Sequence, residues 1–113
     1  MKSYLSHITC STSDDQLPMD KPVNNTCPDG GIIECHYDIE RVRKEVTKED
    51  IAAGPSSLWR YAPMLPAQDP DNAVTLGEGW TPMLRAPALE KELGCTEIWI
   101  KDEGRNPSGT FKD

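Results

Sequence analysis

A lysine near the end of the sequence stands in a loop whose residue types favour amine chemistry. Lys112 follows Pro107, which fixes its own backbone, and Gly109, which tolerates dihedral angles that other residues avoid. Ser108 or Thr110 can cap a helix that we expect to begin at about residue 111. The dipole at a helix N-terminus disfavours a charged ammonium and favours a neutral, nucleophilic amine. The segment is therefore typical of a lysine that bonds to an aldehyde cofactor.

A glycine-containing loop precedes the lysine segment in the chain. Gly77 and Gly79 flank a glutamate within the run Val74–Leu84, and Thr81 with the following proline resumes an extended backbone. Glycines at this spacing predict a loop that approaches a ligand closely. The same pattern is also typical of an ordinary turn between strands.

A helix and a strand are predicted between the two loops. The helix covers Pro87–Gly94, because proline suits its first turn, Leu89 and Leu93 are four residues apart, and glycine closes it. The run Thr96–Lys101 is apolar on both faces, which predicts a strand buried in a parallel sheet covered by helices. The predicted fold class is therefore α/β, with the α/β domain beginning at about residue 73.

These motifs resemble those of the threonine synthases. The segment Asn106–Asp113, preceded by Ile100–Gly104, is similar to the Schiff-base lysine segment of that family, which more often has Thr at Ser108 and Ser at Thr110. The string Gly77–Met83 resembles the family's Gly-Glu-Gly-x-Thr-Pro-Leu, with methionine where leucine is usual. Threonine synthases belong to the pyridoxal-phosphate (PLP) enzymes that share the tryptophan synthase β-subunit fold, fold type II.

The resemblance implies PLP as the cofactor and a lyase activity in amino-acid biosynthesis. The full-length protein would convert O-phospho-L-homoserine and water to L-threonine and phosphate. Lys112 would be the catalytic residue and would hold PLP, and Phe111 would line the cofactor pocket. Thr81 and Ser108 are the expected substrate contacts. The resemblance is compatible with a homo-oligomer of the full-length protein.

Two other functions are open at this point. One is another PLP-dependent β-elimination or β-replacement lyase, such as an amino-acid dehydratase or a cysteate-synthase-like enzyme. The other is a non-catalytic truncated product. In the family, the phosphate-cradling loop and most substrate contacts lie downstream of the lysine, so we expect these residues to be an N-terminal fragment that is inactive alone. We expect Lys101 and Glu103 to be structural, as a pair, rather than catalytic.

Charge and hydrophobicity exclude some classes of partner. The 113 residues carry a formal net charge of −7, which argues against a nucleic-acid or an anionic membrane surface. The first residues lack the apolar core of a signal peptide, and no apolar run is long enough to span a bilayer. We therefore expect a cytoplasmic protein whose four cysteines, at positions 10, 27, 35 and 95, are reduced thiols.

Residues 1–37 are interpreted as a degenerate zinc-ribbon-like segment without metal. A zinc ribbon uses two Cys-x-x-Cys turns, but here Cys10 and Cys27 each lack their second cysteine, which Ser13 and Gly30 replace. Some bacterial and archaeal threonine synthases carry such a ribbon, followed by Gly-Gly and Tyr-Asp pairs that this chain shares. The alternative is a metal site that adds Cys35 and His36 to the two cysteines. The spacing does not favour it, since adjacent side chains point to opposite faces of a strand.

Residues 38–72 are predicted to be a helical and proline-rich connector. Residues 38–46 have helical spacing, and Thr47 with Asp50 has the spacing of a capping box for a second helix that ends at Gly54. Arg60 stands between two aromatic residues. It could stack on a ligand, but we expect it to fix a packed segment against its neighbour.

Overall fold

The computed structural model describes residues 2–21 and 26–113, which form two compact units. The first unit contains Met1–Gly54 and Trp59–Ala73, and the second contains Pro55–Leu58 and Val74–Asp113. Helices and strands are mixed in the chain, as the α/β class predicts. The division at residues 37 and 72 stays a prediction. Among the described residues, no helix is long and apolar enough to cross a membrane.

The first unit is built on a small antiparallel sheet. Its strands are β1 (Leu5–Cys10), β2 (Gln16–Leu17) and β3 (Ile33–Tyr37), in the order β2-β1-β3. Among the described residues of this unit, Ile8, Cys10 and Cys27 are the buried hydrophobic residues, and the side chain of Pro63 is fully buried as well. So small an apolar core needs support from polar contacts and crosslinks.

Two short helices follow the sheet, and both are capped as predicted. Helix α1 (Ile39–Glu45) begins after Asp38, whose carboxylate accepts a 3.0 Å hydrogen bond from the Arg41 amide. Helix α2 (Lys48–Ala53) begins after Thr47, and the reciprocal capping box with Asp50 is present. The Thr47 hydroxyl and amide lower the pKa of the Asp50 carboxyl. Both predicted helices are confirmed.

Arg60 fixes the end of helix α2. Its side chain is buried within the 3₁₀ segment Leu58–Met64 and donates to the carbonyl oxygens of Ile51, Ala52 and Gly54 at 2.8–2.9 Å. Carbonyls at the end of a helix lack partners within the helix and carry partial negative charge, so a guanidinium there is favourable. The expectation that Arg60 fixes a packed segment is confirmed.

The second unit contains a strand pair and a helix. Strand β4 (Met83–Arg85) is followed by helix α3 (Pro87–Leu93) and strand β5 (Trp99–Lys101). The helix has proline in its first turn and ends at Gly94 in the left-handed conformation, as predicted.

The predicted parallel, buried strand is wrong for the described residues. Strand β5 pairs with β4 in the antiparallel direction, and its side chains are exposed, including Trp99 at 49% and Ile100 at 46%. Residues that are apolar on both faces indicate a strand, but they do not encode the direction of its partner.

Glu90 of helix α3 forms hydrogen bonds to the end of β4 and to the residue before β5. Its carboxylate accepts two bonds from the Arg85 guanidinium, at 2.8 and 3.1 Å, and one from the Ile98 amide at 3.1 Å. The Arg85 bonds, and then the Ile98 amide, hold the pKa of the Glu90 carboxyl below its usual range. One buried carboxylate of α3 thus joins the end of β4 to the residue before β5.

Candidate active site

The glycine loop of residues 77–79 has a backbone that requires its glycines. Gly77 and Gly79 have φ of 88° and 80°, and Trp80 also has a positive φ, of 52°. A Cβ atom on Gly79 would lie 2.6 Å from the Leu58 backbone nitrogen. That nitrogen donates a 2.8 Å hydrogen bond to the Glu78 carbonyl. The close approach seen here is to the chain's own backbone, and the predicted approach to a ligand stays a prediction.

The Glu78 side chain closes the same loop. Its carboxylate accepts from the Thr75 hydroxyl and from the Leu76 amide, both at 2.8 Å. The Thr75 hydroxyl also accepts from the Gly77 amide at 3.0 Å. The glutamate between the glycines therefore holds the shape of the loop.

The lysine segment forms a compact turn. The Asn106 carbonyl accepts from the Gly109 amide at 2.8 Å, and Gly109 has φ of 73°. The Ser108 hydroxyl donates to the Asp113 carboxylate at 2.8 Å and lies 3.0 Å from the Thr110 hydroxyl. The Thr110 hydroxyl accepts from the Lys112 amide at 3.2 Å. These short-range bonds fix the backbone on either side of the lysine.

Residues 111–112 form a turn rather than the predicted helix. An α-helix whose first residue is 111 closes its first turn with a bond from the N–H of residue 114 to the carbonyl of residue 110, and the 113 residues do not include that N–H. Among the described residues no helix begins beside Lys112, so the activation of its amine by a helix dipole stays a prediction. Thr110, one of the two predicted caps, does bond to an amide two residues later.

The Lys112 amine is exposed and accessible. Its Nζ atom lies 5.7 Å from the centroid of the Phe111 ring, which is also exposed. Within the part of the chain that the structure describes, no carboxylate forms an ion pair with this amine. The amine is therefore open to a carbonyl compound that arrives from solvent.

Two polar contacts join the glycine loop to the lysine segment. The Gly79 amide donates to the Asn106 side-chain oxygen at 3.0 Å, and the Thr81 hydroxyl donates to the Glu103 carboxylate at 2.8 Å. Lys101 donates to the Thr81 hydroxyl and carbonyl and lies 3.8 Å from Glu103. The predicted pairing of Lys101 with Glu103 is confirmed.

The structure places the predicted site residues in two different environments. Ser108, Phe111 and Lys112 are exposed on one turn, whereas Thr81 is only 8% exposed and its hydroxyl is engaged within the chain. Asn106 was not among the predicted site residues. An asparagine before a proline is a common turn residue, and only its burial distinguishes it here.

Cys10 and Cys27 form a disulfide in the first unit, so the prediction of four reduced thiols is wrong for this pair. The Cα atoms of the two cysteines lie 6.1 Å apart, within the range that a disulfide spans. Cys35 and Cys95 are free and exposed. The two cysteines are separated by 17 positions in the sequence, so their proximity depends on the fold and not on the cellular compartment.

Asp29 lies beside the disulfide. The Thr12 hydroxyl and the Gly31 amide donate to the Asp29 carboxylate and lower its pKa. The two cysteines and Asp29 offer ligand atoms within 4.8 Å of one another, so they could contribute to a zinc site only after reduction of the disulfide.

The alternative metal set is not assembled. In the described part of the chain, Cys35 and His36 do not join the group formed by Cys10, Cys27 and Asp29. The His36 ring instead stacks on His7 across the β1–β3 pair, with centroids 4.4 Å apart.

A family of known proteins matches the part of the chain that contains the two loops. Residues 74–113, which contain the glycine loop and Lys112, match the family described as pyridoxal-phosphate dependent enzyme. The threonine synthase of Methanocaldococcus jannaschii is 44% identical over 88 residues, which are 78% of this chain and 22% of that protein. The chain is similar to threonine synthases.

Other threonine synthases match as well. That of Methanosarcina acetivorans is 28% identical over 95% of this chain and 25% of its own length. That of Mycobacterium leprae is 48% identical over 52% of this chain and 16% of its own length. The chain thus spans a quarter or less of the curated relatives it matches. No solved structure matches it.

The residues around Lys112 fit a covalent PLP site. A bond to the PLP aldehyde needs an accessible amine without a competing carboxylate, and Lys112 meets both conditions among the described residues. The backbone on both sides of the amine is anchored, and an exposed aromatic ring stands beside it. In such a site Lys112 would hold the cofactor and Phe111 would border it.

Proposed function

We propose that the full-length protein carrying these residues is a threonine synthase. It would convert O-phospho-L-homoserine and water to L-threonine and phosphate, with PLP bound by Lys112. The observation that carries this proposal is the 44% identity to a threonine synthase together with the family match over residues 74–113. We further propose fold type II, a catalytic domain that begins at about residue 73, a small-molecule substrate without nucleic-acid or membrane partners, and a cytoplasmic location.

Bound PLP would supply an electron sink that lets bonds at successive substrate carbons break and form. The role of the chain is to place one amine beside those carbons. Lys112 would hold the cofactor, and its amine would accept and return protons at the substrate carbons. Its exposure and its anchored backbone support both tasks.

The two proposed substrate contacts differ in how easily they could act. The Ser108 hydroxyl is exposed and donates to the carboxylate of Asp113, the residue after Lys112, so rotation about one bond would re-aim it at a ligand. The Thr81 hydroxyl is buried and must first leave Glu103. We therefore rank Ser108 above Thr81 as a contact for the phosphate or carboxylate of the substrate.

The proposal is tested with the full-length protein and two lysine variants. We expect wild type and the exposed-lysine control Lys91→Ala to show the absorbance of lysine-bound PLP and to release phosphate and threonine from O-phospho-L-homoserine. Lys112→Ala should lose the absorbance and the activity. Borohydride reduction followed by peptide mapping should locate the cofactor on Lys112 in wild type.

The products separate threonine synthase from related lyases. If serine or threonine were deaminated while O-phospho-L-homoserine gave no threonine, the enzyme would be a dehydratase and the proposal would be wrong. If Lys112→Ala kept the absorbance of lysine-bound PLP, the assignment of the cofactor lysine would be wrong.

A further inference from the structure

The buried residues of the second unit are all polar. The structure describes every residue of this unit, and the three that are buried are Thr81, Glu90 and Asn106. Glu90 joins α3 to the two strands, as described above. Asn106, at 8% exposure, is the buried residue closest in sequence to Lys112. A buried amide is costly unless its polar atoms are paired, so its partners indicate what it does.

The Asn106 amide has partners in two different loops. Its oxygen accepts from the Gly79 amide at 3.0 Å, and its nitrogen donates to the Thr110 carbonyl at 3.1 Å and to the Glu103 carboxylate at 3.3 Å. The Gly79 N–H can only donate and the Thr110 carbonyl can only accept, so these two partners fix the orientation of the amide.

No other side chain of this size can make the same set of bonds. Aspartate would keep the acceptor for Gly79 but would lose the donor to Thr110 and would face the Glu103 carboxylate. Leucine or alanine would leave the Gly79 amide and the Thr110 carbonyl without this partner. The position therefore selects asparagine for its combination of one acceptor and two donors.

A continuous set of bonds leads from the glycine loop to the lysine. Gly79 bonds to the Asn106 side chain, the side chain bonds to the Thr110 carbonyl, and the Thr110 hydroxyl accepts from the Lys112 amide. Resting on the proposed function, we propose that Asn106 is a positioning residue that sets where the Lys112 backbone lies relative to the glycine loop.

The test uses the full-length protein as wild type, Asn106→Asp and Asn106→Ala, with Asn72→Ala as the matched control at an exposed asparagine of the first unit. Two readouts are compared, and the first needs no cofactor. It is hydrogen exchange at the Gly79 amide, with the Cys95 amide at the end of α3 as a reference in the same unit. The second is the affinity for PLP, measured by the absorbance of the lysine-bound cofactor.

The two Asn106 variants should separate the effect of the side-chain oxygen, which bonds to Gly79, from that of the side-chain nitrogen, which bonds to Thr110. Asn106→Ala should accelerate exchange at Gly79 about tenfold and leave Cys95 unchanged, whereas Asn106→Asp should keep Gly79 protected. Both should bind PLP about tenfold more weakly than wild type, since each loses the bond to the Thr110 carbonyl. Asn72→Ala should match wild type in both readouts.

The outcomes distinguish this inference from the proposed function. If wild type does not bind PLP through Lys112, the proposed function fails, and protection at Gly79 still decides whether Asn106 joins the two loops. If wild type binds PLP and Asn106→Asp binds it equally well, the positioning role is overturned. Equal acceleration at Gly79 and Cys95 in Asn106→Ala would also overturn it, because general destabilisation would then explain the effect.

Discussion

Replacing Gly79 with alanine should destabilise the second unit far more than the same change at Gly77. Both glycines have a positive φ, of 80° and 88°, so both substitutions force alanine into a left-handed conformation. Only one of them also creates a clash. A Cβ on Gly79 would lie 2.6 Å from the nitrogen and 3.0 Å from the Cα of Leu58, whereas a Cβ on Gly77 has nothing within 4 Å.

The expected losses in the free energy of unfolding follow from the backbone conformation, the clash and one hydrogen bond. The left-handed conformation costs alanine about 1–2 kcal/mol at either position. At Gly79, relief of the clash must move backbone rather than a flexible side chain, which adds about 1–3 kcal/mol of overpacking. The shift would also weaken the Leu58–Glu78 backbone hydrogen bond, which contributes about 1 kcal/mol. We therefore expect Gly77→Ala to cost about 1–2 kcal/mol and Gly79→Ala about 3–6 kcal/mol.

Urea denaturation of the full-length protein and its two variants measures the loss of stability. Hydrogen exchange at the Leu58 amide measures the local effect, because this amide donates to Glu78 across the close approach. Exchange at Leu58 should accelerate strongly in Gly79→Ala and little in Gly77→Ala. Equal losses of stability, with equal protection at Leu58, would show that backbone conformation alone sets the cost and that the close approach does not exist.

Three further predictions concern the contacts that hold each unit. Arg60→Met should lower the free energy of unfolding by about 3 kcal/mol, because three carbonyls lose a charged donor while much of the buried volume is kept. An unchanged urea midpoint would contradict this prediction. Glu90→Gln should lower the free energy of unfolding less at pH 3 than at pH 7. The hydrogen bonds from Arg85 lower the pKa of Glu90 in the folded protein, so the stability that the carboxylate contributes is lost as pH falls through that value. A loss of stability that is the same at both pH values would refute the pairing. Cys10→Ser should lower the free energy of unfolding by about 3 kcal/mol under non-reducing conditions, because the Cys10–Cys27 disulfide closes a loop with a sequence separation of 17. Peptide mapping that finds both thiols free in the wild-type protein would contradict this prediction.

Local sequence signals predicted the elements that depend on neighbours in the chain. The capping box of Thr47 and Asp50, and the proline start and glycine end of α3, act within a few residues, so the sequence contains all the information that they need. The role of Arg60 was also predictable, because a helix end lies only a few residues before it. In each case the stabilising contacts join residues that are close in the sequence.

Features that depend on distant partners were predicted less well. The direction of β5 depends on where β4 lies, and the apolar pattern of Trp99 and Ile100 is the same for parallel and antiparallel pairing. The disulfide depends on two turns that bring Cys10 and Cys27 together through the β1–β3 sheet. The burial of Asn106 depends on the glycine loop. A single sequence does not state which distant segments meet.

The structure gives a different physical reason for the glycine at position 79 than the sequence pattern suggested. The sequence pattern suggested that Gly77 and Gly79 make room for a ligand, but the backbone that comes closest to Gly79 is that of Leu58 in the same unit. Trp80 follows with a positive φ of its own, a conformation that persists in a non-glycine residue only when its surroundings enforce it. Here the Leu58 backbone and the Asn106 amide both hold Gly79 in place. Gly79 is therefore required by the fit of the loop to its own chain.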